Sequence, residues 1–354
     1  MAQSKARSSF WPSSCRRDGR LDNQAYQFAA REEGMLKNLR SLLSIGAITL
    51  AGVLTTSPSA MAEKAKIGVS IPAATHGWTG GLNYHTKRTV DALKKAYPDL
   101  EFVITTADSA TKQVNDIEDL VAVQKINALV VLPFESDPLT EPVKEAKKQG
   151  VFVATVDRGL SEEGIEDLYV GGNNPEYGRI AADYFKKKLD GKGKIVVMRG
   201  IPTAIDNIRI DAFKKALEGT SIQVLDMQYA NWNPDKGFEV MQDYLQRFPQ
   251  IDAVWAGDDD AALGAVEAIN QAGRAKGMTV LGGSGMNKVI KRIMDGDSLI
   301  DADIFYPPTL IIPAIGAVAM KFAVGAPVSG RWVLGSPLIT KENAKQYYFP
   351  ESPY

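Results

Sequence analysis

The strongest constraint on the fold is a repeated alternation between short apolar segments and longer segments with helical periodicity. The short segments are rich in β-branched residues, as in AKIGVSI at 65–71, ALVVLPF at 128–134 and VFVATVD at 151–157. A strand that is apolar throughout, rather than alternately apolar and polar, is covered on both faces. The alternation therefore predicts an α/β fold with parallel sheets built from βαβ units.

The pattern of strands and helices starts again near Gly171-Gly172. We predict about nine strands, divided between two similar doubly wound domains rather than joined in one large sheet, because each half of the chain is long enough for such a domain. A late helix over 307–324 and extended chain over 332–338 indicate that the chain crosses between the domains more than once. The predicted first domain comprises 63–172 and 307–334, and the second comprises 173–306 and 335–354.

The region before residue 63 has the organisation of an export signal. Lys37 and Arg40 follow Met35, an apolar stretch covers 41–54, and Ala60-Met61-Ala62 is a cleavage site of the A-x-A type. An uncleaved membrane anchor is the alternative. The apolar stretch is short and contains two glycines, which favours cleavage.

We therefore expect 35–62 to be a secretory signal peptide and the mature chain to start near Glu63, free in a bacterial periplasm. Residues 1–34 have no periodicity, and we interpret them as a misassigned extension upstream of the true start. The only cysteine, Cys15, lies in that extension, so neither a disulfide nor a lipid anchor is expected in the mature chain.

Composition and motifs argue against several classes of function. The 354 residues carry a net charge of −1 and no block of basic residues, so nothing favours nucleic acid or an anionic membrane. Walker A, G-x-S-x-G and metal-spaced His/Cys motifs are absent from the sequence, and the loop SIPAATHGWTGG after the first strand does not fit G-x-G-x-x-G. An enzyme, a cofactor and a metal site are therefore not expected.

Ligands of open parallel sheets bind beyond the carboxyl ends of the strands, and the polar residues there suit a polyhydroxylated ligand. A ligand hydroxyl donates to a carboxylate and accepts from an arginine, while the C–H faces of a sugar or polyol pack on aromatic rings. The residues that follow strands in this way include Ser70, His76, Trp78, Asp157, Arg158, Trp232, Asp258 and Ser284.

Several of these residues also have a purely structural interpretation. Trp232 could belong to the core, and Trp255, inside a strand, is expected to do so. The run Asp258-Asp259-Asp260 could cap a helix; we expect Asp259 or Asp260 to be the N-cap and Asp258 to face the cleft. The pair Asp157-Arg158 could be a surface ion pair of little energetic value, and His76 alone is weak evidence for a metal or a base.

Five motifs in series carry a resemblance to a known family: IGVSI in the first strand, VDRG at 156–159, GGNNPEYGR at 171–179, RIDAFKKAL at 209–217 and DAVWAGDDDAALGAVEAI at 252–269. Over 63–340 the sequence resembles the ribose/galactose-type periplasmic sugar-binding proteins of ABC importers. The resemblance implies two similar α/β domains joined by a three-segment hinge, with the ligand held in the cleft between them.

The resemblance also implies roles for individual residues. It gives Asp157 and Arg158 as an acidic–basic pair that grips sugar hydroxyls, Arg209 as a second arginine from the other domain, Trp78 and Trp232 as rings on either side of the sugar, Asp258 as a polar contact, Asn174 as a polar hinge residue and Tyr306 as a hinge-side contact. One departure is Ser284 in GGSG, where many members have Asp. A polyol or another sugar is therefore at least as favoured as ribose.

The predicted function is a monomeric periplasmic solute-binding protein that captures a sugar or polyol and delivers it to the permease of an ABC importer by hinge closure. The alternative is a periplasmic sensor subunit that presents its ligand state to a receptor kinase or chemoreceptor. Both share the same fold and site. A sugar-sensing repressor would instead carry an N-terminal helix-turn-helix, where this sequence has an export signal.

Overall fold

Residues 64–354, the part of the chain that the computed structural model describes, contain twelve strands and nine α-helices. The strands are β1 (Lys66–Pro72), β2 (Glu101–Ala107), β3 (Ala128–Val131), β4 (Phe152–Val156), β5 (Leu168–Gly172), β6 (Lys192–Arg199), β7 (Ser221–Tyr229), β8 (Ala253–Trp255), β9 (Thr279–Leu281), β10 (Ala302–Ile304), β11 (Gly330–Leu334) and β12 (Leu338–Thr340). The helices are α1 (Gly77–Ala96), α2 (Ala110–Ala122), α3 (Ser136–Lys148), α4 (Asn174–Lys188), α5 (Ala204–Leu217), α6 (Pro234–Arg247), α7 (Asp259–Gln271), α8 (Asn287–Asp295) and α9 (Ile311–Val324). The predicted signal peptide and the segment before it lie outside the described residues.

Two parallel sheets organise these elements. The first has the strand order β11-β5-β4-β3-β1-β2 and the second the order β7-β6-β8-β9. Every neighbouring pair within them is parallel, which confirms the predicted α/β class. We call the part built on the first sheet the first lobe and the part built on the second sheet the second lobe. A third pair, β10 with β12, is antiparallel and was not predicted.

The first sheet is covered by helices on both faces. Val130 and Ala154 belong to a cluster on the side of α1 and α9, whereas Leu129 and Val153 belong to a second cluster with residues of α2 and α3. Burying a valine or leucine side chain in this way contributes about 1.5–3 kcal/mol. Successive strand residues thus face opposite cores, which is why the strands are apolar throughout.

The chain crosses between the two lobes three times, from β5 to α4, from β10 to α9 and from β11 to β12. These crossing segments lie side by side. The Gly172 N–H donates to the Tyr306 hydroxyl at 3.2 Å, and the Asn173 N–H donates to the Leu334 carbonyl at 2.8 Å. Gly172 allows this approach, because a Cβ there would lie 2.0 Å from the Tyr306 ring. Within residues 64–354, no helix combines the length and the apolarity needed to cross a membrane.

Candidate ligand-binding site

Side chains from both lobes meet beyond the carboxyl ends of the strands. Asp157 and Arg158 follow β4, whereas Trp232, Asp258 and Ser284 follow β7, β8 and β9. The guanidinium carbon of Arg158 lies 5.3 Å from the centre of the Trp232 ring, so a residue of the first lobe stacks on a residue of the second. The described conformation is therefore closed over the cleft.

Asp157 is held in a fixed orientation by two tyrosines. Its φ of 60° lies in the left-handed region, which costs an L-residue roughly 1–2 kcal/mol. The Tyr169 hydroxyl donates to the Asp157 carbonyl at 2.8 Å, and the Tyr306 hydroxyl donates to Asp157 Oδ1 at 2.6 Å. Gly159, with a φ of 64°, continues the turn. This backbone turns the carboxylate toward the crossing segments.

Arg158 is buried, so the interpretation of Asp157-Arg158 as a surface ion pair is wrong. Its Nη1 donates to the carbonyls of Pro133 at 3.3 Å and Phe134 at 2.7 Å. Its Nε has no hydrogen bond and lies 4.0 Å from Asp157 Oδ2. Burial lowers the pKa of Arg158 to about 10, against the raising effect of Asp157, so the side chain stays charged at neutral pH. A buried guanidinium with an unpaired N–H is suited to an oxygen acceptor.

Arg209 lies between two aromatic rings at the crossing segments. Its guanidinium carbon is 4.2 Å from the centre of the Tyr177 ring and 4.4 Å from that of Tyr306. Its Nε donates to Asn174 Oδ1 at 2.7 Å. Each cation–π contact is worth about 0.5–2 kcal/mol, and together they restrict the guanidinium to one plane. The predicted residues Asn174, Arg209 and Tyr306 thus form one network.

Trp232 is buried by an unusual backbone. Asn231 and Trp232 both lie in the left-handed region, with φ of 55° and 50°. The indole packs on Gly200, where a Cβ would lie 2.0 Å from the ring. This glycine lets the indole lie flat on the end of β6 and face the first lobe.

The ring that approaches Trp232 from the first lobe is that of His76, with the two centroids 6.3 Å apart. The indole N–H of Trp78 donates to the Tyr306 carbonyl at 2.9 Å, so this side chain ties α1 to a crossing segment. Burial, together with the charge of Arg158, lowers the pKa of His76 to about 3. His76 is therefore a neutral ring at physiological pH.

The first turn of α7 corrects one prediction. The N-cap is Asp258, whose Oδ1 accepts a hydrogen bond from the Ala261 N–H at 2.9 Å, and not Asp259 or Asp260. Asp258 has the extended backbone of an N-cap, and the helix begins directly after it. Its other oxygen, Oδ2, is buried without a hydrogen bond, and burial raises its pKa well above the usual range. One carboxyl group thus caps the helix and still has a free oxygen.

Asp260 connects the second lobe to the first. Its Oδ2 accepts a hydrogen bond from the Gly77 N–H at 2.9 Å, in the first turn of α1. A helix N-terminus favours a negative charge at this position. Burial raises the pKa of Asp260 to about 6, against the lowering effect of the N–H groups of Gly77 and Trp78. This contact links the two lobes directly.

The two predicted serines are buried and have different surroundings. Ser70, inside β1, accepts a hydrogen bond from Gln113 of α2 at 3.2 Å, which gives it a structural partner. Ser284 is hydrogen-bonded to the crossing segment that contains Tyr306. Its N–H donates to the Ile304 carbonyl at 2.7 Å, and its carbonyl accepts from the Tyr306 N–H at 3.3 Å.

A small cavity lies beside Trp232 and Arg209. Its volume is about 10 Å³, roughly the room for one water, and it is lined by Met198, Asp206, Arg209, Ile210, Trp232, Trp255 and Gly257. This cavity by itself is too small for a ligand of sugar size.

Sequence reasoning missed part of this site. Trp255 is a core residue as predicted, with its ring centre 4.3 Å from that of Phe213, but it also lines the cavity, and its indole N–H is buried without a partner. Tyr169 and Tyr177 were not singled out, although Tyr177 lies within the quoted motif GGNNPEYGR. Nothing in a tyrosine's local pattern shows that it will stack on an arginine from another helix.

Two α/β lobes that close over a cleft lined by arginine, carboxylate and aromatic side chains define a ligand-binding class of protein. Residues 67–326 match the family model described as periplasmic binding protein domain, and the chain belongs to that family. The family resemblance predicted from the sequence is thereby confirmed.

Individual relatives agree with this assignment. The chain is 32% identical to the ribose import binding protein RbsB of Bacillus subtilis over 209 residues, covering 59% of this chain and 67% of the relative. It is 29% identical to the ribose import binding protein RbsB of Salmonella typhimurium over 308 residues, covering 87% and 99%. Among solved structures it resembles an ABC transporter solute binding protein from Bacillus halodurans with bound myo-inositol, at a TM-score of 0.75 and 23% identity, covering 84% of this chain and 100% of that chain. At this identity the structural likeness shows the fold alone.

Proposed function

We propose that the protein captures a sugar or polyol between its two lobes and delivers it to the inner-membrane permease of an ABC importer when the lobes close. The observation that carries this proposal is the convergence of two buried arginines on one cleft. Arg158 comes from the first lobe and Arg209 from the second, and both are stacked on aromatic rings. A ligand held by both arginines binds the closed form more tightly, so binding shifts the population toward closure.

Unpaired polar atoms support a hydroxylated ligand. Arg158 Nε, Asp258 Oδ2 and the Trp255 indole N–H are buried without hydrogen bonds, and each such group costs about 1–3 kcal/mol. Two of them are donors and one is a carboxyl oxygen. A polyol satisfies both kinds, because each hydroxyl donates one hydrogen bond and accepts others.

Transport is favoured over the alternative sensor role because both curated relatives are named as import binding proteins. These relatives are binding proteins and not enzymes. The family description supports a periplasmic location, which agrees with export through the signal peptide over 35–62 and cleavage before Glu63. We propose that the protein works as a monomer. Permease and ATPase genes beside its gene would support transport, whereas a neighbouring histidine kinase gene would support sensing.

Closure in this proposal is the movement of two rigid bodies relative to each other. One body comprises 63–172 and 307–334, and the other comprises 173–306 and 335–354. The division follows the membership of the two sheets and places all three crossing segments at the boundary. Small-angle scattering with and without ligand measures the closure of one body on the other. A radius of gyration that is unchanged when ligand binds to a demonstrably open form would contradict it.

A thermal-shift screen against pentoses, hexoses and polyols tests the function. A ligand at 100 times its Kd stabilises the folded protein by about 2.7 kcal/mol, which raises the unfolding midpoint. Arg158→Ala and Arg209→Ala should then each weaken binding of the ligand so found by about 2–5 kcal/mol. Arg179→Ala is the matched control, because Arg179 lies on the surface and pairs with Asp183. The proposal fails if no sugar or polyol binds, and the site assignment fails if both buried arginines can be removed without loss of affinity.

A further inference from the structure

The last residues of the chain run from the second lobe to the cleft. Asn287, at the start of α8, holds them: its Nδ2 donates to the carbonyls of Phe349 at 2.6 Å and Ser352 at 3.0 Å, and its Oδ1 accepts the Phe349 N–H at 2.9 Å. The Ser352 hydroxyl lies 3.3 Å from His85 Nε2, which belongs to α1. The C-terminal segment is therefore fixed to the second lobe and contacts the first.

The final residue, Tyr354, lies on two glycines of α1. An added Cβ at Gly81 would be 2.8 Å from Tyr354 Cβ, and one at Gly77 would be 3.0 Å from the edge of the Tyr354 ring. The same Cβ at Gly77 would be 2.9 Å from Asp260 Oδ2, so the ring lies beside that carboxyl group. Gly77 and Gly81 are one helical turn apart, and together they form a flat surface that accepts the ring.

The Tyr354 hydroxyl has no regular partner. The residue is 5% exposed, and its hydroxyl oxygen is buried without a hydrogen bond. The Ser284 side chain interacts with this hydroxyl and lowers the pKa of Tyr354, against the larger raising effect of burial. Burial raises the pKa of Tyr354, and the carboxyl groups of Asp259, Asp260 and Asp258, in that order, raise it further, so all three are close enough to act on the hydroxyl. The Tyr354 hydroxyl and the unpaired Oδ2 of Asp258 thus lie in the same part of the cleft.

A structural role for Tyr354 explains the ring and leaves the hydroxyl unexplained. Phenylalanine would fill the surface formed by Gly77 and Gly81 equally well and would not bury an unpaired hydroxyl, which costs about 1–3 kcal/mol. A buried polar group without a regular hydrogen bond in a native structure calls for an explanation, and a ligand oxygen is one. Ser284 has a short side chain, so the tyrosine can occupy the space beside it.

We propose that Tyr354 is a ligand-contacting and specificity-determining residue of this cleft. Its hydroxyl binds a ligand oxygen beside Ser284 and Asp258, and its ring on α1 limits how deeply the ligand enters. This inference rests on the proposed function, because it assigns part of the same sugar site to Tyr354.

The test uses isothermal titration of the purified protein with D-ribose, D-allose, xylitol and myo-inositol as separate probes. Tyr354→Phe removes the hydroxyl alone and should weaken binding of the preferred probe about tenfold, since one buried hydrogen bond is lost. It should also change the ratio of affinities between probes, because only ligands with a hydroxyl at that position lose the bond. A general loosening of the fold would weaken all probes alike.

Two further variants complete the test. Tyr348→Phe is the matched control in the same C-terminal segment and should bind as the wild type does. A chain that ends at Pro353 loses the ring as well and should bind the preferred probe more weakly than Tyr354→Phe does. The unfolding midpoint of Tyr354→Phe without ligand should stay close to that of the wild type, because the ring that packs on Gly77 and Gly81 is kept.

The outcomes separate this inference from the proposed function. If the wild type binds a probe and Tyr354→Phe binds every probe with unchanged affinity, the assignment of Tyr354 is wrong and the proposed function stands. If the wild type binds none of the probes, the proposed function fails for these ligands, and the inference that depends on it fails too. Equal weakening of all probes together with a lower unfolding midpoint would show a structural residue and overturn the inference.

Discussion

Replacing Tyr306 by phenylalanine should loosen the crossing segments and the ligand site together. The Tyr306 hydroxyl donates to Asp157 Oδ1 at 2.6 Å and accepts hydrogen bonds from the Gly172 N–H at 3.2 Å and from Asn174 Nδ2 at 3.4 Å. Tyr306→Phe keeps the ring that stacks on Arg209 and removes these three interactions. The change therefore separates the role of the hydroxyl from that of the aromatic packing.

The magnitude follows from the three bonds. A buried hydrogen bond to a charged carboxylate is worth about 1.5–3 kcal/mol, and the two longer bonds to Gly172 and Asn174 are each worth about 0.5–1 kcal/mol. The free energy of unfolding should fall by roughly 3 kcal/mol, which lowers the thermal midpoint of a chain of this size by roughly 4–5 °C. Asp157 also loses the donor that orients it, so the affinity for the sugar ligand should fall about tenfold.

Urea denaturation measures the first effect, and isothermal titration with the ligand found by thermal shift measures the second. Tyr229→Phe is the control, because Tyr229 is 39% exposed and its ring stacks on Arg199 without needing the hydroxyl. If Tyr306→Phe unfolds within about 0.5 kcal/mol of the wild type, the hydrogen bonds at the crossing segments do not stabilise the fold, and the reasoning is refuted.

Two further changes test the packing and the electrostatics at the start of α1. Gly81→Ala should destabilise the fold by about 1–3 kcal/mol, because the added Cβ would lie 2.8 Å from Pro308 and Tyr354. Gly80→Ala is the control: its added Cβ would have nothing within 4 Å, so the change should stabilise the helix by about 0.5–1 kcal/mol. Equal urea midpoints for the two variants would contradict this. The pKa of Asp260 is about 6 in the folded protein, against 3.8 for the free side chain, so the protonated carboxyl group is the form that favours folding. This contribution to stability is fully present below pH 3.8 and is lost as the pH rises through about 6. The unfolding free energy of the wild type should therefore fall between about pH 4 and about pH 7. In Asp260→Asn this fall should be smaller by roughly 1–3 kcal/mol. Urea titrations at both pH values measure it, and a fall as large as that of the wild type would show that Asp260 is not the group responsible.

Much of the fold could be predicted because it depends on local patterns. Runs such as VFVATV are apolar throughout, and this property alone requires cover on both faces and hence a parallel sheet between helices. Asp157 and Arg158 could be placed at the carboxyl edge of the sheet because they directly follow such a run.

The parts that were missed are short or depend on distant residues. β10 and β12 have three residues each, and neither carries a local signal that would predict their antiparallel pairing. Asp258 was distinguished wrongly from its neighbours, because three consecutive aspartates look alike until the backbone fixes where the helix begins. Its extended φ and ψ decide that it is the cap.

The sequence by itself determined the class of fold, the division of its strands between two sheets and the strand ends at which polar groups gather, because each follows from residues that are neighbours in the chain. Only the tertiary structure decided which of those groups meet. Arg209 lies between Tyr177 and Tyr306, and Tyr354 lies on α1 beside Ser284, since the chain crosses between the lobes three times and brings distant segments together. Contacts of this kind depend on the packing of whole elements, which no local pattern of residues encodes.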